Sequence, residues 1–201
     1  MTDLLLATTN RGKQRELGRL LADLPARVVM PQDLDLGLDV AEPYDTYAEN
    51  AAAKADAYAR ASGLPTLADD SGLEVAALDW GPGVRTDRFG GPDVDDPVAH
   101  LLAQIADADD RRARMVCWLA LAVPSKPLGD VPEIELFSGV IDGSVTREQR
   151  GSEGFGFDPI FLLPSGRTTA ELPEAEKDRV SHRGRAVAAA MPRLRELLGG
   201  A

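Results

Sequence analysis

The stretch DLLLATTNRGKQRELGRLLADLPARVVM, residues 3–30, predicts the fold class on its own. Its apolar run over residues 3–7 is typical of a buried strand, and the polar residues 8–10 are of types that begin helices. Leucines then recur at helical spacing, at positions 17, 20, 21 and 24, and the apolar segment 27–30 predicts a second strand. Strand, helix and strand in this order predict a β-α-β unit and an α/β fold.

The remaining helices are marked by their first residues. Thr46 and Glu49 form a capping-box pattern, which predicts a helix immediately after Thr46. Asp96 before Pro97 predicts the start of another helix. A last helix is predicted from about His182 to Leu198, and Pro192 is expected to bend it or to divide it in two.

Further strands are predicted from apolar runs, and a glycine-rich loop is predicted over residues 151–156. The chain contains no internal repeat and no linker, so we expect a single domain over residues 1–201 with a mixed sheet. The predicted strands are residues 65–68, 113–123, 134–141 and 160–163, the second and third joined by a loop containing proline and glycine.

Composition excludes several classes of protein. The chain has 201 residues, of which 44% are hydrophobic and 27% charged, as in globular proteins. A formal net charge of −11 disfavours a general nucleic-acid binder, because such proteins collect basic surface. The longest apolar run, residues 115–123, is too short to span a membrane. The N-terminus does not resemble a secretory signal, and Cys117 is the single cysteine, so we expect a cytoplasmic protein.

The first motif with chemical potential is TTNRGK, residues 8–13, at the predicted strand-to-helix junction. A helix N-terminus offers unpaired N–H groups and a partial positive charge, to which Lys13 adds an ammonium, so phosphate is the expected ligand. The segment is not a P-loop, because Gln14 replaces the required Ser or Thr. The alternative is a plain helix cap followed by an exposed lysine.

The second motif is DDSG, residues 69–72, which we expect at the end of a buried strand. Two adjacent buried carboxylates are costly unless a cation or hydrogen bonds compensate them. Carboxylate oxygens suit Mg²⁺, which also takes oxygens from phosphate and water. Glu42 and Glu49 could add to this acidic group, and the alternative is an Asx-type turn followed by glycine.

Two more motifs lie toward the C-terminus. In GFGFDP, residues 154–159, the glycines allow a ligand to approach closely, an aromatic ring can stack on a base, and Asp158 can accept from ring N–H groups. The alternative is a turn whose phenylalanines only fill the core. In SHRGR, residues 181–185, basic residues again open a helix, with Lys177 just before it. The alternative for His182 is a helix cap with no chemical role.

Taken together, these motifs resemble the inosine triphosphatase family, the XTP/dITP diphosphatases that remove deaminated purine nucleoside triphosphates. The resemblance covers about residues 4–185, with the motifs in the same order. It rests on Thr8 to Lys13, Glu42 with TYAENAAAK (46–54), LADDSGLEV (67–75), GPGVRTDRFGG (81–91), GFGFDPIF (154–161), Glu176-Lys177 and SHRGRA (181–186).

The resemblance implies an elongated α/β fold with a long central mixed sheet flanked by helices, and two lobes with an active-site cleft between them. It also implies a homodimer and a Mg²⁺-dependent hydrolysis of ITP, dITP or XTP to the monophosphate and pyrophosphate, which keeps these nucleotides out of DNA and RNA. The only substrate implied is a purine nucleoside triphosphate, with no nucleic-acid or membrane partner.

The resemblance also implies roles for individual residues. Asp70 would be the general base and, with Glu42, would bind metal. Where the family commonly has Thr-Gly-Asn, this chain has Thr8-Thr9-Asn10, so Thr9 must adopt the backbone angle of that glycine. The residues that would contact substrate are Thr8, Thr9, Asn10, Arg11, Gly12, Lys13, Ser71, Phe155, Gly156, Phe157, Asp158, Lys177, His182 and Arg183.

The residues agree with direct attack by water, because no Ser-His-Asp order is present and Cys117 lies in an apolar strand. Two other functions stay open at this point. One is a related Mg²⁺-dependent pyrophosphatase for modified pyrimidine or methylated nucleotides. The other is a non-catalytic nucleotide- or RNA-binding module, which would need no acidic group and would be expected to carry a basic surface.

Overall fold

The computed structural model describes residues 2–124 and 131–199. The predicted β-α-β opening is present: strand β1 is Thr2–Leu6, helix α1 is Arg11–Leu20 and strand β2 is Ala26–Val29. The two strands pair in parallel, with Leu4 opposite Val28. The sequence pattern therefore predicted both the elements and their order.

Four more α-helices follow. Helix α2 is Tyr47–Ser62, begun by Thr46 and ended by Gly63 with φ 69°. Helix α3 is Pro97–Gln104, capped by Asp96 as predicted, and α4 is Glu174–Val180, which the sequence analysis missed. Helix α5, His182–Leu198, is one continuous helix through Pro192, so the proline does not divide it. Val187, Leu194 and Leu198 on either side of the proline are buried in one core, which holds both halves together.

The strands form one mixed sheet. Strand β3 is Thr66–Val75, β4 is Gly81–Pro82, β5 is Arg112–Val123, β6 is Glu133–Val145 and β7 is Phe161–Leu162. Their order is β2-β1-β3-β5-β6-β7, with β4 paired to β3. Strand β1 is parallel to β2 and β3, whereas β4 and β7 pair antiparallel. The predicted α/β class with a mixed sheet is confirmed. Part of the predicted loop between β5 and β6, residues 125–130, lies outside the described residues.

One prediction about the sheet is wrong in an informative way. The predicted strand over residues 65–68 continues to Val75, so DDSG lies inside β3 and is not a turn at its end. All of residues 66–73 are buried. Strand β3 pairs with β1 at Thr66 and Leu67 and lies beside β5 in the sheet, and this place in the sheet overrides the local preference of Asp-Ser-Gly for a turn.

The chain divides into two compact units. Unit 1 comprises Met1–Asp70, Cys117–Gly139 and Arg185–Ala201, and unit 2 comprises Ser71–Val116 and Val140–Gly184. In unit 1 the sheet is covered on both faces, because alternate residues of a strand point in opposite directions. Leu4 and Leu6 belong to a core cluster with residues of α1 and α5, whereas Leu5 and Ala7 belong to a cluster with residues of α2.

Unit 2 has its own core. Val98 and Leu101 of α3 pack with Leu73 of β3 and with Phe161 of β7 in a single buried cluster. Within the ranges 2–124 and 131–199, no helix is long and apolar enough to cross a membrane.

Candidate active site

The junction of β1 and α1 is built around Asn10. Its side-chain oxygen accepts the backbone N–H groups of Gly12 at 2.9 Å and Lys13 at 3.2 Å, so Asn10 is the cap of α1. The hydroxyl of Thr8 accepts the N–H of Asn10 at 3.2 Å, which fixes the turn. Thr9 is exposed and does not have a positive φ, so this turn needs no glycine there. Arg11 is exposed at the first position of the helix.

Lys13 is buried, with 4% of its surface exposed, and its ammonium lies 3.1 Å from the carboxylate of Asp69, which is 0% exposed. This position excludes the alternative of a plain cap with an exposed lysine. The thiol of Cys117 lies 3.9 Å from the other oxygen of the same carboxylate. A buried lysine needs such a partner, because an uncompensated charge in the interior is costly.

Asp70 is 3% exposed and lies next to this pair. Burial raises the pKa of its carboxyl to about 6. The positive charges of Lys54 and Lys13 oppose this rise in pKa, and the negative charges of Glu42 and Asp69 add to it. A carboxyl group with a pKa this close to neutral can take a proton from water far better than an ordinary aspartate. Perturbed acids of this kind cluster at functional sites.

Glu42 is held by a salt bridge of 2.7 Å between its carboxylate and Lys54 of α2. The segment that carries Glu42 is fixed by Asn50, a fully buried residue whose amide both accepts the N–H and donates to the carbonyl of Tyr44, at 3.1 Å each. The sequence analysis assigned no role to Asn50 or Lys54. The available signal was their spacing, since residues four apart lie on one face of a helix.

The donors of unit 1 fit a divalent cation of the Mg²⁺ type. Glu42 and Asp70 supply carboxylate oxygens, the ligands that Mg²⁺ prefers, and their like charges raise the cost of ionising Asp70. Among residues 2–124 and 131–199, no group of three or more His, Cys, Asp or Glu is arranged to hold a metal ion.

Unit 2 contains a second buried ion pair. Asp158 and Lys177 are 2% and 3% exposed, and the Lys177 ammonium lies 2.5 Å from one carboxylate oxygen of Asp158. The same oxygen accepts the backbone N–H of Phe155 at 2.8 Å. The ring of Phe155 is half-buried, and Lys177 and the guanidinium of Arg183 each lie 5.5 Å from its centre.

The two phenylalanines of GFGFDP have different surroundings. Phe157 is buried in the core of unit 2, where its ring meets Phe89 at 6.3 Å. Phe157 therefore fits the alternative in which the phenylalanines of this motif only fill the core, whereas the half-buried Phe155 does not. Gly154 and Gly156 both have positive φ, of 79° and 58°, which glycine adopts at low cost.

The SHRGR motif opens α5. Ser181 accepts the N–H of Gly184 at 3.0 Å, so the helix cap is Ser181, and the capping alternative for His182 is wrong. His182 and Arg183 are both buried, and Arg183 donates to the hydroxyl of Ser71 at 2.9 Å. Gly184 is required here, because a Cβ would lie 1.8 Å from the carbonyl oxygen of Asp178.

The predicted residues therefore fall into two sets, one in each unit. Within unit 1 the structure brings Lys13, Asp69 and Asp70 together with Glu42 and Lys54. The set in unit 2 consists of Ser71, Phe155, Gly156, Phe157, Asp158, Lys177, His182 and Arg183.

Comparison with known proteins identifies the relatives of this chain. The profile of the Ham1 family matches residues 4–193. The dITP/XTP pyrophosphatase of Streptomyces coelicolor is 46% identical over 207 residues, covering 99% of this chain and all of that protein. The dITP/XTP pyrophosphatase of Syntrophobacter fumaroxidans is 44% identical over 187 residues, covering 92% of this chain and 78% of that protein.

A solved structure, the Ham1 protein of Staphylococcus aureus, superposes with a TM-score of 0.83 at 32% identity, covering 98% of this chain and 100% of that one. This superposition covers nearly the whole chain. Sequence profile, relatives and structure agree, and the chain belongs to the Ham1 family.

Proposed function

We propose that this chain hydrolyses deaminated purine nucleoside triphosphates (ITP, dITP and XTP) to the monophosphate and pyrophosphate, and so keeps them out of DNA and RNA. The observation that carries the proposal is a buried Asp70, with a pKa of about 6, among lysines and acids in a chain of the Ham1 family. Relatives similar over nearly the whole chain are named dITP/XTP pyrophosphatases. The acidic net charge and the buried acids disfavour a non-catalytic RNA-binding module.

In this reaction Asp70 acts as the general base. It orients a water molecule and takes its proton as the water oxygen attacks the α-phosphorus. The bond from that phosphorus to the bridging oxygen breaks, and pyrophosphate leaves with the electron pair. General-base catalysis of this kind is worth about 10²–10⁴-fold in rate.

The phosphate groups bind at the N-terminus of α1. Lys13 supplies a positive charge that its pairing with Asp69 holds in one place. Thr8, Thr9, Asn10, Arg11 and Gly12 surround this terminus. The Asn10 side chain already accepts two of its N–H groups, so the helix itself has fewer N–H groups to offer the phosphates.

Glu42 and Asp70 would hold Mg²⁺, and the salt bridge from Lys54 limits where the Glu42 carboxylate can lie. When bound, the ion supplies positive charge that neutralises the triphosphate and stabilises the charge of the transition state.

The base is recognised by residues of unit 2. The half-buried ring of Phe155 can stack on any purine, which adds affinity without selecting among purines. A hydrogen bond from Arg183 or His182 to a 6-keto oxygen would select deaminated purines, because the 6-amino group of adenine cannot accept one. Ser71 fixes the Arg183 guanidinium for this role.

We propose further that the protein is a cytoplasmic homodimer, as the family resemblance implies. A single cysteine, buried in β5, agrees with a reducing compartment. Light scattering during size-exclusion chromatography would give a mass of twice 21.4 kDa for the dimer, and 21.4 kDa would contradict this part of the proposal.

The direct test uses ITP and water enriched in ¹⁸O. We expect inosine monophosphate and pyrophosphate in equal amounts, with the label in the monophosphate. Inosine diphosphate and inorganic phosphate as products would contradict the proposed reaction. Activity on a methylated or modified pyrimidine triphosphate at higher kcat/KM than on ITP would favour the related pyrophosphatase instead.

A further inference from the structure

We propose that Thr169 and the carboxylate of Asp158 form an internal anchor that positions Phe155 and Lys177, and that this carboxylate does not itself contact the base. The proposal rests on the proposed function, since it concerns how the same nucleotide would be held. Every residue in it belongs to unit 2. Thr169 lies outside all the motifs that the sequence analysis singled out.

The Asp158 carboxylate is already engaged by its own chain. One oxygen accepts the Lys177 ammonium at 2.5 Å and the Phe155 N–H at 2.8 Å. The other oxygen accepts the Thr169 hydroxyl at 2.8 Å. A carboxylate has about four acceptor positions, so three are filled, and the group is 2% exposed. One acceptor position remains, and the burial of the carboxylate closes it to a base N–H.

Thr169 is suited to hold this carboxylate in place. It is 0% exposed, and its hydroxyl also lies 3.1 Å from the carbonyl oxygen of Asp158. Thr169 begins a single turn of 3₁₀ helix, Thr169–Glu171, in which the carboxylate of Glu171 accepts the N–H of Thr168. Arg150 binds the same carboxylate, so the turn is itself fixed.

The loop that carries Phe155 is bonded to this turn at several points. The hydroxyl of Thr168 donates to the carbonyl of Arg150 at 2.8 Å, and the N–H of Glu153 donates to the carbonyl of Ala170 at 3.1 Å. Gly151 permits the approach, since a Cβ there would lie 2.3 Å from the Ala170 carbonyl oxygen.

Gly154 gives independent support for the anchor. A Cβ at this position would lie 2.1 Å from the Asp158 carboxylate and 2.8 Å from the Lys177 ammonium. The backbone before Phe155 therefore approaches the ion pair as closely as glycine allows. The aromatic ring and the ammonium are positioned before any nucleotide arrives, which lowers the ordering cost of binding.

The test compares Thr169→Val, which removes the hydroxyl at nearly constant shape, with Thr169→Ser, which keeps it. Thr146→Val is the matched control, because Thr146 is also buried in unit 2 and donates to a backbone carbonyl, that of Glu148 at 2.6 Å. The readouts are the exchange rate of the Phe155 amide proton by NMR, and kcat and KM for ITP and ATP.

We expect Thr169→Val to speed Phe155 amide exchange and to raise the KM for ITP by about tenfold, the effect of losing one hydrogen bond to a charged group. kcat should change less than KM, and Thr169→Ser should restore both readouts. Thr146→Val should leave Phe155 exchange unchanged. Equal behaviour of Thr169→Val and Thr146→Val would overturn the anchor.

Asp158→Asn tests whether the carboxylate contacts the base, and it stands in for Thr169→Val should that variant fail to fold. A positioning role lowers kcat/KM for ITP and ATP by the same factor, whereas a contact with the base would reduce the preference for ITP. A reduced preference would overturn this part of the proposal. If wild-type protein releases no pyrophosphate from ITP, the proposed function fails, and Phe155 amide exchange still decides whether the anchor exists.

Discussion

Asp70 illustrates how a residue can be unfavourable for stability and favourable for chemistry. Its pKa is raised to about 6 because the carboxylate is buried near two other acids, and two nearby lysines compensate only in part. Between its ordinary pKa of 3.8 and about 6, the folded protein binds a proton that the unfolded chain has lost. Stability therefore falls as the pH rises through this window, and the whole cost is present above it.

We expect Asp70→Asn to abolish turnover and to stabilise the metal-free protein at pH 8 by up to about 3 kcal/mol, the upper value for a shift of this size. Urea unfolding with a chelator, at pH 4 and pH 8, measures the gain, which should be much smaller at pH 4. Asp110 provides the control, since it is exposed and Arg112 lowers its pKa to about 2. Asp110→Asn should give no gain. More than about a tenth of wild-type turnover in Asp70→Asn would contradict its role as base.

Lys13 and Asp69 should behave as a unit. Lys13→Met leaves a fully buried carboxylate without its ammonium and should cost about 3–5 kcal/mol of unfolding free energy. The double variant Lys13→Met/Asp69→Asn should recover most of this loss, because neither charge is then buried alone.

Calorimetry should still show that the double variant binds ITP more weakly than wild type does, with a smaller effect on the binding of inosine monophosphate. An equal loss for both nucleotides would contradict the phosphate role of Lys13.

At the scale of elements, the N-terminus of α1 allows capping and phosphate binding to be separated. Asn10→Asp keeps an oxygen that can accept the N–H groups of Gly12 and Lys13, and a negative charge is favourable at this end of a helix. The same charge repels a triphosphate.

We therefore expect Asn10→Asp to keep the wild-type melting temperature and to raise the KM for ITP at least tenfold. Asn10→Ala should lose about 0.5–2 kcal/mol of stability as well, because it removes the cap. Thermal melting and steady-state kinetics on both variants provide the comparison. An unchanged KM in Asn10→Asp would place the triphosphate away from this helix end.

The elements also show what the sequence could and could not predict. Local signals were sufficient for the β-α-β opening and for α2 and α3, whose caps Thr46 and Asp96 are bonded as the pattern indicated. Helix α4 was missed because Pro173 precedes it without a side-chain cap. The course of β3 through DDSG depends on strands distant in the chain, and no local signal reports them.

In the candidate site, too, the sequence predicted individual residues but not how they pack together. Lys13 and Asp69 were singled out separately, but their pairing depends on how α1 and β3 pack within unit 1. The motif GFGFDP predicted a base-stacking ring, yet only the structure separates Phe155 from Phe157, which belongs to the core. Thr169, the first residue of the short 3₁₀ turn Thr169–Glu171, carries no sequence signal, because it belongs to none of the motifs.

At the scale of the whole molecule, a formal charge of −11 disfavours a tetra-anionic substrate, so local groups must provide the attraction. Lys13 and Lys177 are buried beside carboxylates, which fixes their positions but offsets part of their charge. A bound divalent cation would therefore attract the triphosphate more strongly than the electrostatic field of the whole protein does.

We expect catalysis to require added divalent cation and to be lost with a chelator, as a pyrophosphate-release assay would show. Full activity in excess chelator would contradict this.

The measurement that tests the central claim most directly is kcat/KM for ITP, dITP, XTP, GTP and ATP at saturating Mg²⁺. A site that donates to a 6-keto oxygen rejects adenine because donors would then face a donor, and such sites discriminate by up to about 10⁴-fold. We expect ITP, dITP and XTP to be hydrolysed to the monophosphate at least about 10²-fold more efficiently than ATP, with GTP poor but detectable. Comparable efficiency on ATP and ITP would contradict the account, even if pyrophosphate were the product.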